Sequence, residues 1–379
     1  MECNILVVDD IAVNRVVVKE ALQSIEGANF IEAIDGVDAL EMLTKHQISL
    51  VILDLIMPIK DGFAVLEEMK KTPSLCDIPV IIYSANEDVD SVSEALELGA
   101  YDYFTKPLKP REMKVILPKK AKNALKSYEQ QKTIQELNFK MQVDLLMANI
   151  LQQSLLNEKA QMKNATMYGK YLPTQEIGGD FYDCSQIGDT VWFIMANVSG
   201  NGVAAAMLTS MLKIEFQHCI RVLHSPDKVL RVMNNMFCKI TQSEYSMTAF
   251  VGMIDKNTLW YSNAGQCYPL VFNEADQNIT ILRESNSGLG IVKDEKYTVH
   301  TLPVASGDIM LTYTQGLIED KLMLDEFGVY DDLADSFLDY KHLISKDITE
   351  FFTALIRLFG NGTQEVVSND TSMMLVCLK

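Results

Sequence analysis

The chain has 379 residues, 48% of them hydrophobic, and a formal net charge of −18 at pH 7. That length holds two domains, or two and a linker, with real cores, and the acidic balance leaves no basic footprint for a nucleic-acid binder. Seven cysteines without a paired CxxC spacing read as the reduced thiols of a cytoplasmic protein and speak against zinc; no run nears the roughly 18 apolar residues of a membrane span, and the opening Met-Glu-Cys-Asn lacks the basic region of a signal peptide.

Short apolar runs predict strands near residues 5–8, 29–34, 50–53, 80–83 and 101–105. Amphipathic segments such as Val13–Ile25, Gly62–Lys71 and Asp88–Leu98 separate them, so the crossovers make the sheet parallel and the segment 1–117 an α/β, flavodoxin-like domain. Its third strand runs into Asp54, followed by Met57-Pro58 and Asp61-Gly62; Asp9 and Asp10 follow the first strand, and Lys106-Pro107 the fifth. Strand ends of one parallel sheet meet at its carboxyl edge, where open α/β folds place their chemistry. Three carboxylates and one ammonium there suit a single Mg²⁺ and a transferable phosphoryl group, the parts of a phosphorylation switch.

These residues, together with Ser84-Ala85 and Tyr103, closely resemble bacterial response-regulator receiver domains over the whole segment. The resemblance implies Asp54 as phosphoacceptor, with an upstream histidine kinase as donor. It implies Asp10, assisted by Asp9 and the Ile56 carbonyl, as the Mg²⁺ site beside Asp54. Ser84 would hydrogen-bond the phosphoryl group, Lys106 would ion-pair with it, and Tyr103 would be the aromatic that changes rotamer.

Pro110 begins the last helix of this domain, and Pro118 is expected to interrupt it, which sets the boundary there. From 119 to 157 there is no glycine or proline, and Ile134, Leu137, Met141, Ala148, Leu151 and Leu155 recur in a near-heptad seam, with Asp144 at one core position. Residues 118–159 therefore read as a long helical linker. It is either a coiled-coil stalk of a homodimer, the reading we favour, or a single helix packed on its own domains.

From residue 160 to 379 strands come in pairs around long helices. Val191–Asn197, Thr248–Ile254, Leu259–Asn263, Ile309–Tyr313 and Ser372–Leu378 read as strands, and Ala204–Val222 and Pro226–Thr241 as helices. Two antiparallel sheets covered by helices would make an α+β sandwich. Its loops follow a fixed order: Gly178-Gly179-Asp180, Asn197-Val198-Ser199-Gly200-Asn201-Gly202, Asn263-Ala264-Gly265, Thr314-Gln315-Gly316 and Asn369-Asp370-Thr371.

That order resembles the bacterial protein phosphatase 2C group, the stage II sporulation phosphatase family. In its active members four loop aspartates hold two divalent metals that activate a water against phosphoserine or phosphothreonine. Here Asp180 fills one of the four positions, whereas Asn197, Gln315 and Asn369 fill the other three and Asp370 remains as a neighbour. Asn201 and Gln266 stand where histidines are frequent in the family. Amides supply dipoles but no charge to offset the desolvation and mutual repulsion of two dications, so Mn²⁺ or Mg²⁺ should be absent or weakly held. The domain reads as a pseudophosphatase in which Asp180 is only a turn residue satisfying backbone amides, unless the amides ligate metal weakly or Asp183 or Asp370 substitutes for the lost ligands.

The resemblance leaves two functions to weigh. One is a phosphorylation-gated binding module, similar to receiver-headed adaptors and partner-switching regulators that hold a sigma factor or an anti-sigma antagonist. The other is an active serine/threonine phosphatase of such an antagonist. No DNA-binding module is expected after the strand that ends at Leu378.

Overall fold

The computed structural model describes residues 3–86, 88–174, 177–200, 202–240, 245–323, 325, 328–359 and 369–379; Asn201 and Thr241 lie outside them. The chain forms two compact units, Met1–Met141 and Gln142–Lys379.

The first unit alternates β1 (Cys3–Val8), α1 (Ala12–Leu22), β2 (Ala28–Ala33), α2 (Gly36–Lys45), β3 (Leu50–Leu53), α3 (Gly62–Lys71), β4 (Val80–Ser84), α4 (Val89–Glu97) and β5 (Asp102–Thr105). The strands form one parallel sheet in the order β2-β1-β3-β4-β5. Helices cover both faces, which is why β3 and β4 are apolar and buried almost without alternation. Side chains still alternate between two cores. Leu6, Val8, Val51, Leu53 and Ile82 lie in one, and Ile5, Val7, Leu50, Ile52 and Ile81 in the other.

The chain turns helical again at Pro110, passes through a π-helical turn at Glu112–Ile116, and continues as α5 (Leu117–Leu155). Pro118 therefore does not break the helix, contrary to expectation. The Leu117 amide already reaches five residues back to the Glu112 carbonyl, so the register has shifted before the proline and its missing N–H removes one bond without ending the run. Leu117, Ala121, Ala124 and Leu125 are buried in the first unit, and Gln131 and Gln135 both donate to Asp77. Along the expected seam Ile134, Leu137, Met141 and Leu151 are each more than half exposed.

The second unit continues with β6 (Lys159–Gln161), β7 (Ala165–Leu172), β8 (Asp180–Ile187), β9 (Thr190–Val198), α6 (Val203–Val222), α7 (Pro226–Ile240), β10 (Met247–Asp255) and β11 (Thr258–Ala264). Then follow β12 (Leu270–Asn273), β13 (Asn278–Ile281), β14 (His300–Pro303), β15 (Ile309–Tyr313), α8 (Glu319–Leu322), α9 (Gly328–Tyr340), α10 (Ile348–Phe359) and β16 (Thr371–Leu378). Two antiparallel sheets result, β14-β11-β10-β9-β8 and β13-β12-β15-β16-β7-β6. Tyr182, Phe193, Phe250 and Met374 fill the space between them. Phe216 and Phe237 of α6 and α7 pack on one outer face, and Phe337 and Phe351 of α9 and α10 on the other. Among the described residues no helix is long and apolar enough to cross a membrane.

Candidate functional site

In the first unit the parallel register does the positioning. Val8 pairs with Leu53, so Asp9 and Asp54 leave the sheet side by side. One oxygen each from Asp9, Asp10 and Asp54 lies within 4.8 Å of the others, the spacing a single divalent ion needs. Lys106 arrives from β5 and closes the cluster: its Nζ donates to Asp9 Oδ2 at 2.6 Å and to Asp54. Asp9 and Asp54 are buried while Asp10 is exposed, which leaves a path to solvent on one side. The Ile56 amide donates to Asp54 Oδ1 at 3.1 Å. Gly62 packs where a Cβ would strike the Asp54 carbonyl, so the loop after Asp54 closes tightly only with glycine there.

Ser84 ends β4 with its Oγ buried and without a hydrogen-bond partner, an orphaned donor that a phosphoryl oxygen could satisfy. Tyr103 is partly buried, and its hydroxyl donates to the Asn86 carbonyl at 2.6 Å. The expected receiver residues are thus brought together at one sheet edge.

In the second unit Asp180 is the first residue of β8 and is fully buried. It is not the expected turn residue serving backbone amides. Its Oδ1 accepts from Asn197 Nδ2 at 2.6 Å, and its Oδ2 from Thr314 Oγ1 at 2.7 Å. Burial pushes its carboxyl up to about 7, and the nearby Asp370 carboxylate adds to the rise against the opposing hydrogen bonds. Asp370 holds the backbone: its oxygens accept from the Thr174 and Gly179 amides, both at 2.9 Å. Gly178 must lack a side chain, because Asp370 and the Tyr171 hydroxyl occupy the space its Cβ would take.

Asp183 cannot stand in for a lost ligand. Three residues along β8 it faces the opposite side from Asp180, buried against α6, where Gln217 Nε2 donates to it at 2.6 Å. A residue that sequence reasoning missed is Glu319, at the start of α8. Its carboxylate accepts from Asn369 Nδ2 and faces Gln315 Nε2 at 3.5 Å. The signal was a glutamate four residues after Gln315, one helical turn on. Asn197, Gln315, Glu319, Asn369 and Asp370 line one pocket of about 310 Å³. Among the described residues the second unit has no group of three acidic, histidine or cysteine side chains close enough to share an ion. The residues present do not fit a two-metal centre.

One further contact ties the pocket to the helix before it. Gln152 of α5 is buried and donates to the Gly178 carbonyl at 2.7 Å and to Thr209 Oγ1 at 3.2 Å. The turn of α5 that carries it is thus bonded to the loop that leads into Asp180.

The family model described as Stage II sporulation protein E (SpoIIE) matches residues 187–379, about half of the chain, and that of the Response regulator receiver domain matches residues 5–117. Asp180 falls just before the first match, and Asn197, Gln315 and Asn369 within it. Curated relatives include the probable transcriptional regulator ycf27 of Porphyridium aerugineum, 42% identical over 109 residues, which are 29% of this chain and 44% of that protein. The ycf27 of Guillardia theta is 35% identical over 145 residues, 37% of this chain and 55% of that protein. The chain spans about half the length of these curated relatives. Among solved structures, the SiaA-PP2C domain of Pseudomonas aeruginosa aligns with 64% of this chain and 99% of its own at 15% identity and a TM-score of 0.51, a likeness of fold. The RsbU and RsbW domains of a Mycobacterium tuberculosis protein align with 57% of this chain and 60% of their own at 22% identity and a TM-score of 0.49. By the two family-model matches the chain belongs to the stage II sporulation protein E family and carries a response regulator receiver domain ahead of that segment.

Proposed function

We propose that this chain is a phosphorylation-controlled response regulator whose SpoIIE-like domain binds a regulatory protein, such as a sigma factor or an anti-sigma antagonist, without efficient catalysis. A histidine kinase supplies the phosphoryl group to Asp54, with Mg²⁺ held by Asp9, Asp10 and Asp54. The added charge, about −1.5 to −2, draws on Lys106 and on the unpartnered Ser84 hydroxyl. Exposed apolar residues along α5 support a second copy of the chain as the partner of that helix.

One observation carries the reading of the output domain. At three positions where a carboxylate would face a dication, an amide stands; Gln315 and Asn369 present their nitrogens to Glu319 of the same pocket, and Asn197 presents its nitrogen to the buried Asp180 behind it. Counting bound Mn²⁺ per chain tests it. The natural protein should hold one ion, at the receiver cluster, and N197D/Q315D/N369D should hold three and gain hydrolysis of a phosphoserine protein. Glu319, with Asp370 in the same wall, stands on the side of the alternative, an active phosphatase. Three ions in the natural chain, or hydrolysis at the rate of the restored variant, would establish that alternative.

A further inference from the structure

The pocket beside Asp180 is lined with acceptors. An ionised carboxylate can only accept, so an amide facing one turns its nitrogen toward it and leaves its carbonyl oxygen elsewhere. Asn197 turns its nitrogen to Asp180, and Asn369 and Gln315 turn theirs to Glu319. Nothing among the described residues donates to Asn197 Oδ1, Asn369 Oδ1 or Gln315 Oε1. Ser199, Ser246, Thr248, Glu319 and Asp370 complete the wall, and among the described residues no lysine, arginine or histidine lines it. Such a wall carries too little charge for two dications and too much for a neutral ligand or an anion. It suits a single positive charge with several N–H donors.

Resting on the binding-module reading above, we propose that this pocket receives an arginine side chain of the protein partner. A guanidinium offers five donors in a planar fork and is weakly hydrated, so it can satisfy carbonyl oxygens and a carboxylate at once, where an ammonium satisfies three acceptors at higher desolvation cost. The volume, about 310 Å³, is at the small end for ligand pockets, and among the described residues Val198, whose side chain packs in the core, is the one apolar lining residue, whereas small-molecule sites are mostly apolar. A macromolecule would draw its remaining area from the exposed Val203 and Met207 on α6, which starts just after Gly200 of the wall.

Calorimetric titration of the full chain with Nα-acetyl-arginine methylamide tests this against the lysine and citrulline counterparts and free arginine. The blocked arginine should bind in the millimolar range, at least about tenfold more tightly than the blocked citrulline, and E319Q should weaken it by about tenfold, with the unfolding midpoint showing the variant folded. Equal binding of the arginine and citrulline probes, or of arginine and lysine, overturns the guanidinium assignment; free arginine binding more tightly than the blocked form overturns the protein source. Because the first two comparisons use the natural chain, they hold even if E319Q misfolds. Manganese titration in the same series separates the two readings: a single ion with no arginine binding sinks this inference alone, and three ions sink the binding module beneath it.

Discussion

At the scale of single residues, Asp180 is the most exposed to prediction because it is the most buried carboxylate among the described residues. A carboxylate at full burial with only neutral donors around it holds a proton far more readily than the same side chain in the unfolded chain, about 7 against the ordinary value near 4. The folded-state value is raised, so the stabilisation it gives is complete below about pH 4 and is lost as pH rises through about 7. The difference in unfolding free energy between the natural chain and D180N should therefore shrink across that window. Chemical denaturation at closely spaced pH values measures it, and a flat difference would show that Asp180 keeps an ordinary carboxyl. The receiver residues needed no structure to be found, since each ends a strand and a parallel sheet brings strand ends together. Glu319 did need it. A glutamate opening a helix is commonplace in sequence, and only the pairing with Asn369 and Gln315 sets it apart.

Among the elements, α5 departs furthest from what its sequence foretells. Proline at position 118 reads as a stop, yet a π-helical turn lies beneath it, and no residue pattern announces such a turn. The strands of the first unit were legible because burial on both faces leaves long apolar runs. In the second unit β8 was hidden: its buried positions include Asp180 and Asp183, whose polarity reads as loop until Thr314, Asn197 and Gln217 are seen to satisfy them. The helices α9 and α10 were not foretold by the sequence, although α10 carries a run of buried aromatics. For α5 itself, a second copy covering Ile134, Leu137, Met141 and Leu151 predicts a dimer in sedimentation velocity. L137K/L151K, at positions exposed in one chain, should convert it to a folded monomer. A monomeric natural chain would leave α5 a single helix.

For the whole molecule, two units with separate cores should unfold in two calorimetric transitions. A ligand that binds one folded unit raises only that unit's transition. Mg²⁺ should lift the one belonging to Met1–Met141, where the acidic cluster lies, and leave the other in place. D54A should abolish the lift. Both transitions rising together would place a second ion in Gln142–Lys379 and contradict the amide-lined pocket.

The amides around Asp180 and Glu319 also change what a cell's nutrition can do to this regulator. On the binding-module reading proposed above, a loop cluster stitched by its own side chains needs no imported manganese to hold its shape. Starvation for transition metals would then leave the walls of this pocket in place. Phosphorylation of Asp54 would still draw on Mg²⁺ at the receiver cluster, so the proposed switch depends on one kind of cofactor rather than two.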